Sequence, residues 1–271
     1  MRLKSERMWK SHDAPQERGV AYDRARFYTI DGHKLPSVTT ILSVIDKSGP
    51  LMHWATTLER KAFERAILDA LADPTVKRDT VLDKVIQCLS GAKQHLRELD
   101  AAAAIGTAAH ARIEWRTRKM LGEKVGDEPK IPDAAELAVM GWEDWCKEVE
   151  FTPVCAERVV HCLKCGYAGT IDWIATVRRI VTLGDYKTSK AIYPEAFLQN
   201  IAYRHAAAQQ GMDTAQGIIL RLPKTLADPA FEAMVVPEIP LTDFTAALKL
   251  WTWKRRMEGR VVGVAADGCA A

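Results

Sequence analysis

The sequence predicts an α/β fold, in which a short mixed β-sheet flanked by helices follows a helical N-terminal extension. Apolar residues recur at helical spacing between residues 51 and 149. After Phe151-Thr152-Pro153 the pattern changes to β-rich segments separated by short turns, and then to a helix, two strands and a last helix. The chain is 48% hydrophobic and 27% charged, which excludes mostly disordered, collagen-like and coiled-coil proteins.

The N-terminal half is expected to contain one hairpin and several helices. Asp31-Gly32 lies between two β-prone runs and is a favoured hairpin turn. Ser37 or Thr39 is expected to cap a short helix that runs to Val44, because a hydroxyl can accept a hydrogen bond from the first helical amides. Further helices are predicted over residues 51–71, 75–89, 93–122 and 133–149, and Asp133 is expected to cap the last of them.

The C-terminal half is predicted to contain the sheet. Residues 154–162, 167–177 and 180–186 are expected to form an antiparallel meander, and residues 214–222 and 232–239 two further strands. Helices are predicted over residues 194–210, which begin with proline, and 241–257, capped by Thr242 or Asp243. We expect one domain over residues 1–271: a hairpin and helical extension (1–100), a core (101–258) and a flexible tail (259–271).

Net charge and cysteine content limit the class of protein. A formal charge of +3 neither requires nor excludes a nucleic-acid partner, because a local basic patch matters more than the total. Six cysteines in 271 residues are too few for a disulfide-stabilised secreted domain. No apolar run approaches the roughly 18 residues of a membrane-spanning helix, and no apolar segment of a signal peptide follows the charged N-terminus. We expect a cytoplasmic protein with reduced thiols and no membrane partner.

Two acidic residues and a lysine form the most informative pattern. Asp185 and Lys187 are two residues apart on a predicted strand, so both side chains share one face. A short hairpin through Arg178-Arg179 would bring Asp172 beside Asp185. Two carboxylates next to an ammonium are costly to bury for stability alone, but they suit a hard divalent cation, Mg²⁺ or Mn²⁺, that activates a water nucleophile. The alternative is a solvated strand edge.

The pattern resembles the PD-(D/E)xK nuclease superfamily, and within it the branch of RecB nuclease domains, Cas4 and phage or mitochondrial exonucleases. The resemblance covers residues 36–212, and its specificity lies in the combination and order of the motifs. The matching residues are Asp172 after Gly169-Thr170-Ile171, then Asp185-Tyr186-Lys187, Gln199 and Tyr203, and upstream Gly106-Thr107-Ala108-Ala109-His110 with Glu114. The segment from Pro36 to Leu42, with Trp54 after it, resembles one found near the start of phage members.

The resemblance implies a three-layer core around a short mixed sheet and assigns a metal site to it. His110, Asp172 and Asp185 would be metal ligands, with the carbonyl of Tyr186 as a further ligand, and Lys187 would be the catalytic lysine. The implied cofactor is Mg²⁺ or Mn²⁺.

Supporting and substrate-binding roles are expected for a second set of residues: Glu114, Gln199, Tyr203, Lys190 and Arg112. Gln199 and Tyr203 lie on one helical face, and the resemblance implies that they brace the site or contact the nucleic-acid backbone. Tyr203 could equally pack its helix against the sheet. His110 alone would be typical of a capping or core histidine, but Glu114 follows one turn later on the same face. Glu157 is a weaker candidate for a supporting role, and a structural role is favoured.

The cysteines allow a second metal hypothesis. Cys162-Leu163-Lys164-Cys165 has the spacing of a metal knuckle. Cas4-like relatives hold an iron–sulfur cluster through one upstream and three C-terminal cysteines, whereas here Cys269 is the only C-terminal one. A zinc site would need two further ligands, for which Cys146, Cys155 and His161 are the close candidates. We therefore expect a reduced pair at a hairpin tip rather than an iron–sulfur cluster or zinc.

Basic residues occur near aromatic ones, as in single-strand binding surfaces. One cluster comprises Arg112, Arg116, Arg118 and Lys119; another comprises Lys254-Arg255-Arg256 with Trp251 and Trp253; Lys187 and Lys190 flank the predicted site. Solvated helix faces and core tryptophans are the alternative. A core position is favoured for Trp142 and Trp145, and both interpretations stay open for Trp115.

The sequence thus predicts a Mg²⁺-dependent DNA exonuclease of a phage or prophage recombination, repair or DNA-processing system. Single-stranded or duplex DNA ends are the expected partner, together with a recombination or single-strand-annealing protein, and the N-terminal helices would shape a channel that limits access. The alternatives are a structure- or site-specific endonuclease on the same core, a Cas4-like iron–sulfur nuclease, and a catalytically dead DNA-binding homologue. The intact set of Asp172, Asp185 and Lys187 argues against the last.

Overall fold

The computed structural model describes residues 21–23, 27–45, 48–77, 80–89 and 94–261. The chain divides into two units, one made of Met1–Ile45 and Ala108–Ala271 and the other of Asp46–Thr107. Most of the predicted tail, residues 262–271, lies outside the described residues.

A three-stranded antiparallel sheet opens the larger unit. Its strands are β1 (Ala21–Asp23), β2 (Phe27–Ile30) and β3 (His33–Pro36). The predicted turn at Asp31-Gly32 is confirmed, with φ angles of 49° and 80°. Positive φ at both central positions is the type I′ geometry, which matches the twist of the flanking strands. Three side chains of this sheet pack against the rest of the unit in one apolar cluster of Tyr28, Ile30, Leu35, Val159 and Ala168.

A short capped helix follows the hairpin. Helix α1 (Val38–Ile41) continues into a 3-10 turn over Leu42–Val44. Of the two predicted caps, Ser37 is the one used: its hydroxyl accepts a hydrogen bond from the Thr40 amide at 3.0 Å. Val38 and Ile41 are fully buried, so the cap fixes the point at which the chain enters the core.

The smaller unit consists of helix α2 (Ser48–Ala72), helix α3 (Val81–Leu89) and the first half of helix α4 (Gln94–Met120). The prediction that a helix begins at residue 75 is wrong. The Asp73 carboxylate instead accepts hydrogen bonds from the amide and hydroxyl of Thr75, at 2.9 and 2.6 Å. Such a side-chain turn competes with helix formation. Ala66, Ala70 and Val85 form the small core between α2 and α3.

Helix α5 (Asp133–Val149) carries a cluster of buried aromatic residues. Asp133 is its first helical residue and Pro132 takes the cap position without a side-chain hydrogen bond, so the predicted Asp133 cap is wrong. A carboxylate in the first turn still interacts favourably with the helix dipole. The core position predicted for Trp142 and Trp145 is confirmed, since both are buried. Trp145 contacts Phe151 and Trp173 with ring centroids 5.5 Å apart in each pair.

The main sheet has five strands in the order β4-β5-β6-β7-β8. They are β4 (Thr152–Cys162), β5 (Tyr167–Val177), β6 (Ile180–Lys187), β7 (Gln216–Arg221) and β8 (Glu232–Val235). The predicted meander of β4, β5 and β6 is confirmed. Strands β6 and β7 are parallel and therefore need a crossover, which helix α6 (Pro194–Gln209) supplies with proline in its first turn. Strand β8 ends at Val235, earlier than the predicted residue 239, although the amide of Val236 still donates to the Gly217 carbonyl at 2.9 Å.

The predicted α/β class, a mixed sheet flanked by helices, is confirmed. Helix α7 (Leu241–Val261) packs with α1 and α6 on one apolar cluster of the sheet. Its first residue is Leu241, so Thr242 and Asp243 lie in the first turn and are not caps. The cluster includes Val38, Ile171, Leu183, Ala206 and Phe244, all fully or nearly fully buried.

Replacement of Gly184 by alanine tests the packing at the centre of the sheet. Gly184 pairs with Trp173 across β5 and β6, and a Cβ atom there would lie 1.7 Å from Trp173 Cζ2. The ring cannot yield because Trp145 and Phe151 enclose it. We expect Gly184→Ala to lower the free energy of unfolding by about 3 kcal/mol or more, measured by urea denaturation. Gly126→Ala, with nothing within 4 Å of its Cβ, should change it little; equal midpoints for both variants would contradict this packing.

Candidate metal and active site

Asp172 and Asp185 lie side by side on β5 and β6. The register pairs Trp173 with Gly184, which makes the two aspartates neighbours on adjacent strands. Oδ2 of Asp172 accepts a hydrogen bond of 2.6 Å from the amide of Tyr186. Desolvation and the nearby Asp185 charge raise the pKa of Asp172 to about 6. The predicted carboxylate pair is therefore formed, and the two negative charges are close enough to repel one another.

Lys187 and Gln199 surround the buried carboxylate of Asp185, which is 3% exposed. The ammonium of Lys187 forms an ion pair with Oδ2 of Asp185 and donates a hydrogen bond to Oε1 of Gln199 at 3.0 Å. Nε2 of Gln199 donates to Oδ1 of Asp185 at 3.1 Å. Burial by itself lowers the pKa of Lys187, but Asp185 and Asp172 outweigh it and hold the pKa above its usual value. Lys187 is therefore a fixed positive charge at neutral pH.

Tyr203 completes this network from one turn further along α6. Its hydroxyl accepts a second hydrogen bond from Nε2 of Gln199, at 3.1 Å. The Tyr203 ring lies over Gly169, where a Cβ atom would be 2.3 Å from Cε1 of the ring. The packing of α6 on the sheet by Tyr203 is therefore observed, together with its hydrogen bond to Gln199, whereas its role in an active site stays a prediction. Any larger side chain at position 169 would collide with the Tyr203 ring, which explains why Gly169 precedes Asp172 by three residues.

His110 approaches the pair from α4. Its ring meets the Tyr186 ring edge-on, with centroids 5.8 Å apart. The hydroxyl of Tyr186 accepts a hydrogen bond of 2.9 Å from Nε1 of Trp142, which holds the phenol in place beneath the histidine. A protonated His110 would lower the pKa of Asp172, so the imidazole is near enough to that carboxylate to interact with it electrostatically.

Glu157 is the residue whose importance the sequence understates. Strand β4 pairs Ala156 with Trp173 and Arg158 with Ile171, which puts Glu157 opposite Asp172, in a left-handed conformation with φ of 45°. Burial, and then the charges of Asp172 and Glu114, raise the pKa of Glu157 to about 8. Glu157 and Glu114 therefore extend the carboxylate pair into an acidic cluster. Only the strand register reveals this, since Glu157 is fifteen residues from Asp172 in the chain.

The donor atoms fit a hard divalent cation in type, but they are not drawn together around one point. Oδ2 of Asp185 is buried and is paired with the Lys187 ammonium. Carboxylates and a backbone carbonyl are the ligands that Mg²⁺ and Mn²⁺ prefer. However, the carboxylates and His110 do not form a group of three ligand atoms within 4.8 Å of one another. Among the described residues, the one group of His, Cys, Asp or Glu side chains that does so is Cys162, Cys165 and His205. The ligand roles of His110, Asp172, Asp185 and the Tyr186 carbonyl stay predictions.

The basic cluster on α4 is largely neutralised within the protein. All three donor groups of the Arg112 guanidinium are used: two bond the Pro129 carbonyl, at 2.6 and 3.0 Å, and one bonds Glu136 at 2.7 Å. Arg116 pairs with Glu128 and Glu143, and Arg118 with Glu114 at 3.0 Å. This arrangement does not favour the predicted substrate contact of Arg112, because its donors hold the loop over residues 126–132 against α5.

Trp115 also contacts the loop over residues 126–132. Its indole Nε1 donates to the Gly126 carbonyl at 2.7 Å, and the Lys119 ammonium lies 4.7 Å from its ring centroid. Of the two open interpretations, the structural one is supported by this bond to the loop.

The other predicted nucleic-acid contacts are more accessible. Lys190 is exposed in the segment after β6, close enough to Lys224 to lower the pKa of that residue, although burial is the larger cause. On α7, Trp251 packs against Phe27, whereas Trp253 is 52% exposed. Lys254, Arg255 and Arg256 are exposed as well.

A pH test addresses the acidic cluster. A carboxyl group whose pKa rises from 4.5 unfolded to about 8 folded binds more protons in the folded state between these values, so stability falls as the pH rises from about 5 to 8. Besides burial, the negative charges of Asp172, Glu114 and Asp185 also raise the pKa of Glu157, whereas the positive charge of Arg118 lowers it. With EDTA present, Glu157→Gln should raise the free energy of unfolding at pH 8 by at least about 1 kcal/mol and change it little at pH 5, measured by urea denaturation. Glu148→Gln, at an exposed pair with Arg178, is the control; an equal gain there would contradict the cluster.

Neither the family models nor the curated sequences contain a match to this chain. None of the described helices combines the length and the apolar character that crossing a membrane requires. Function must therefore be argued from the site.

Proposed function

We propose that the protein is a metal-dependent nuclease that hydrolyses phosphodiester bonds in DNA. The observation that carries the proposal is the buried Asp185 carboxylate, held between Lys187 and Gln199 and next to Asp172. A group of two carboxylates and an ammonium, with Asp185 buried and Asp172 and Lys187 partly buried, stabilises a fold poorly in comparison with apolar residues of the same size. Its presence at the centre of the sheet points to chemistry. The motif resemblance to PD-(D/E)xK nucleases supports the same conclusion.

Asp172, Asp185, the Tyr186 carbonyl and His110 would hold the cation, Mg²⁺ or Mn²⁺. When bound, such an ion polarises a phosphoryl oxygen and lowers the pKa of a coordinated water. Asp185, whose Oδ2 atom is buried and paired with the Lys187 ammonium, offers a carboxylate of the type that such an ion prefers. Burial, and then the repulsion between neighbouring carboxylates, raise the pKa values of Asp172 and Glu157, and a cation that neutralises these groups would be favoured.

Lys187 supplies the positive charge of the reaction centre. Its pKa lies above the usual value, so it stays protonated and cannot act as a general base near neutral pH. It instead donates hydrogen bonds to the attacking water or to the phosphoryl oxygens as negative charge develops on them. The hydrogen bond to Oε1 of Gln199 limits the rotation of the long side chain, which pre-organises the charge.

Gln199 is a positioning residue that holds Lys187 and Asp185 in place relative to each other. Its amide contacts Lys187, Asp185 and the Tyr203 hydroxyl at the same time.

A DNA strand is proposed to approach along the accessible groups on this unit, which include Lys190 and the exposed Trp253 and Arg255 of α7. We propose free single-stranded or duplex ends as the substrate, as in the exonucleases that the motifs resemble.

Nuclease assays test the proposal directly. End-labelled single-stranded DNA, duplex DNA and a closed circle are incubated with the protein and Mg²⁺, Mn²⁺ or EDTA. Cleavage should require the divalent cation, and Asp172→Asn, Asp185→Asn and Lys187→Ala should each lower kcat/KM at least about 100-fold. Linear DNA should be degraded and the closed circle left intact.

Asp144→Asn and Lys147→Ala are the matched controls. They alter an exposed acid–base pair on α5 with a 3.1 Å contact and should keep wild-type rates. If the wild type leaves every substrate intact with both metals, the nuclease proposal is wrong. Cleavage of the circle as fast as linear DNA would make the enzyme an endonuclease.

Gln199→Leu tests the positioning role separately. The variant keeps the size of the side chain but removes the contacts to Lys187 and Asp185, so kcat should fall about 10-fold with KM within about threefold of wild type. Gln209→Leu, on the exposed face of the same helix, should change neither constant. A rise in KM alone would assign Gln199 to substrate binding.

A further inference from the structure

The hairpin between β4 and β5 brings two thiols and an imidazole together. The sulfur atoms of Cys162 and Cys165 and a ring nitrogen of His205 all lie within 4.8 Å of one another. The cysteines lie at the hairpin tip, whereas His205 comes from α6, forty residues later in the chain. None of the further ligands considered from sequence belongs to this group; Nδ1 of the His161 ring, for example, lies 3.3 Å from Nε2 of Gln210.

The backbone of the hairpin tip has the form of a metal knuckle. The amide of Cys165 donates to the sulfur of Cys162 at 3.3 Å, and the amide of Gly166 donates to the Cys162 carbonyl at 2.8 Å. Gly166 has a φ of 77°, which a glycine adopts without strain. These two bonds form a tight turn that keeps both sulfur atoms on one side.

Tyr167 orients the imidazole of His205. The tyrosine hydroxyl has one proton, which it donates to the Ala202 carbonyl at 3.0 Å. Its oxygen therefore accepts from Nδ1 of His205, 2.8 Å away. This fixes the ring proton on Nδ1 and leaves the lone pair on Nε2. Metal-binding histidines are held in the same way, with the second nitrogen donating to an oxygen.

We propose that Cys162, Cys165 and His205 bind one Zn²⁺ ion, with a water molecule as the fourth ligand, in place of the metal-free pair expected from the sequence, because His205 supplies a third ligand. Two sulfur ligands and one nitrogen ligand suit zinc and exclude the hard cation of the nuclease site. Cys165 and His205 are only partly buried, so water can reach the fourth position. Binding releases the thiol protons to solvent. The proposal is independent of the nuclease function.

The ion would join the hairpin tip to α6. This helix also carries Gln199 and Tyr203. Zinc bound at His205 would therefore stabilise, near its C-terminal end, the helix that positions the proposed nuclease site. Chelation is therefore expected to lower the Tm of the full chain, by at least about 3 °C.

Metal content tests the site without reference to activity. The full chain is purified under reducing conditions, incubated with Zn²⁺, freed of unbound metal and measured by mass spectrometry for metals. We expect about one zinc ion per chain in the wild type and less than about a tenth of that in Cys162→Ser, Cys165→Ser and His205→Asn. Cys146→Ser removes a partly buried cysteine on α5 and should keep full zinc. Tyr167→Phe should weaken zinc binding about 10- to 100-fold.

Cobalt gives a second readout that needs no variant. Co²⁺ added to the reduced wild type should produce sulfur-to-metal charge-transfer bands and the visible bands of a tetrahedral site, and Zn²⁺ should abolish them. A folded wild type that takes up neither metal would overturn the proposal. An equal loss of zinc in Cys146→Ser would do so too, as would a Cys162–Cys165 disulfide that persists under reduction, or iron with acid-labile sulfide in place of zinc.

Discussion

The burial of the Asp185 carboxylate is the constraint on which the centre of the molecule depends. Removal of an ionised carboxylate from water costs several kcal/mol unless it is compensated, and the compensation comes from two other elements. Lys187 provides an opposite charge from the same strand, and Gln199 provides a hydrogen bond from α6. Gly169 leaves room for Tyr203, which in turn holds Gln199. The crossover helix is therefore tied to the sheet by polar contacts at the site as well as by its apolar face.

A second constraint is the crowding of negative charge around this carboxylate. Glu157 and Asp172 oppose one another across β4 and β5, and both have raised pKa values. The surroundings of these charges are closely packed. Trp145, Phe151 and Trp173 pack in one aromatic cluster, and the arginines of α4 hold the loop after it through the Pro129 carbonyl and Glu128. Fixed surroundings keep like charges together that would otherwise separate, and a cation is the simplest group to neutralise them.

Local patterns predicted most of the elements correctly. Alternation and turn residues located β5 and β6 almost to the residue, and the proline at position 194 located the start of α6. Period 2 put Asp185 and Lys187 on one face, and the hairpin brought Asp172 beside them. The errors occurred at helix starts, where Asp73 closes a side-chain turn with Thr75 and where Pro132, not Asp133, takes the cap position. There a few competing hydrogen bonds decide the boundary, and propensity does not distinguish them.

The sequence by itself determined the α/β class, the hairpin that unites the aspartates and the helical face shared by Gln199 and Tyr203. Each of these depends on contacts between residues that are close in the chain. Only the tertiary structure decided that Glu157 faces Asp172, that Arg112 is held by Pro129 and Glu136, and that His205 joins Cys162 and Cys165. These three results depend on strand register and on how helices dock against the sheet. Such long-range contacts are set by the packing of the whole core, which no local periodicity encodes.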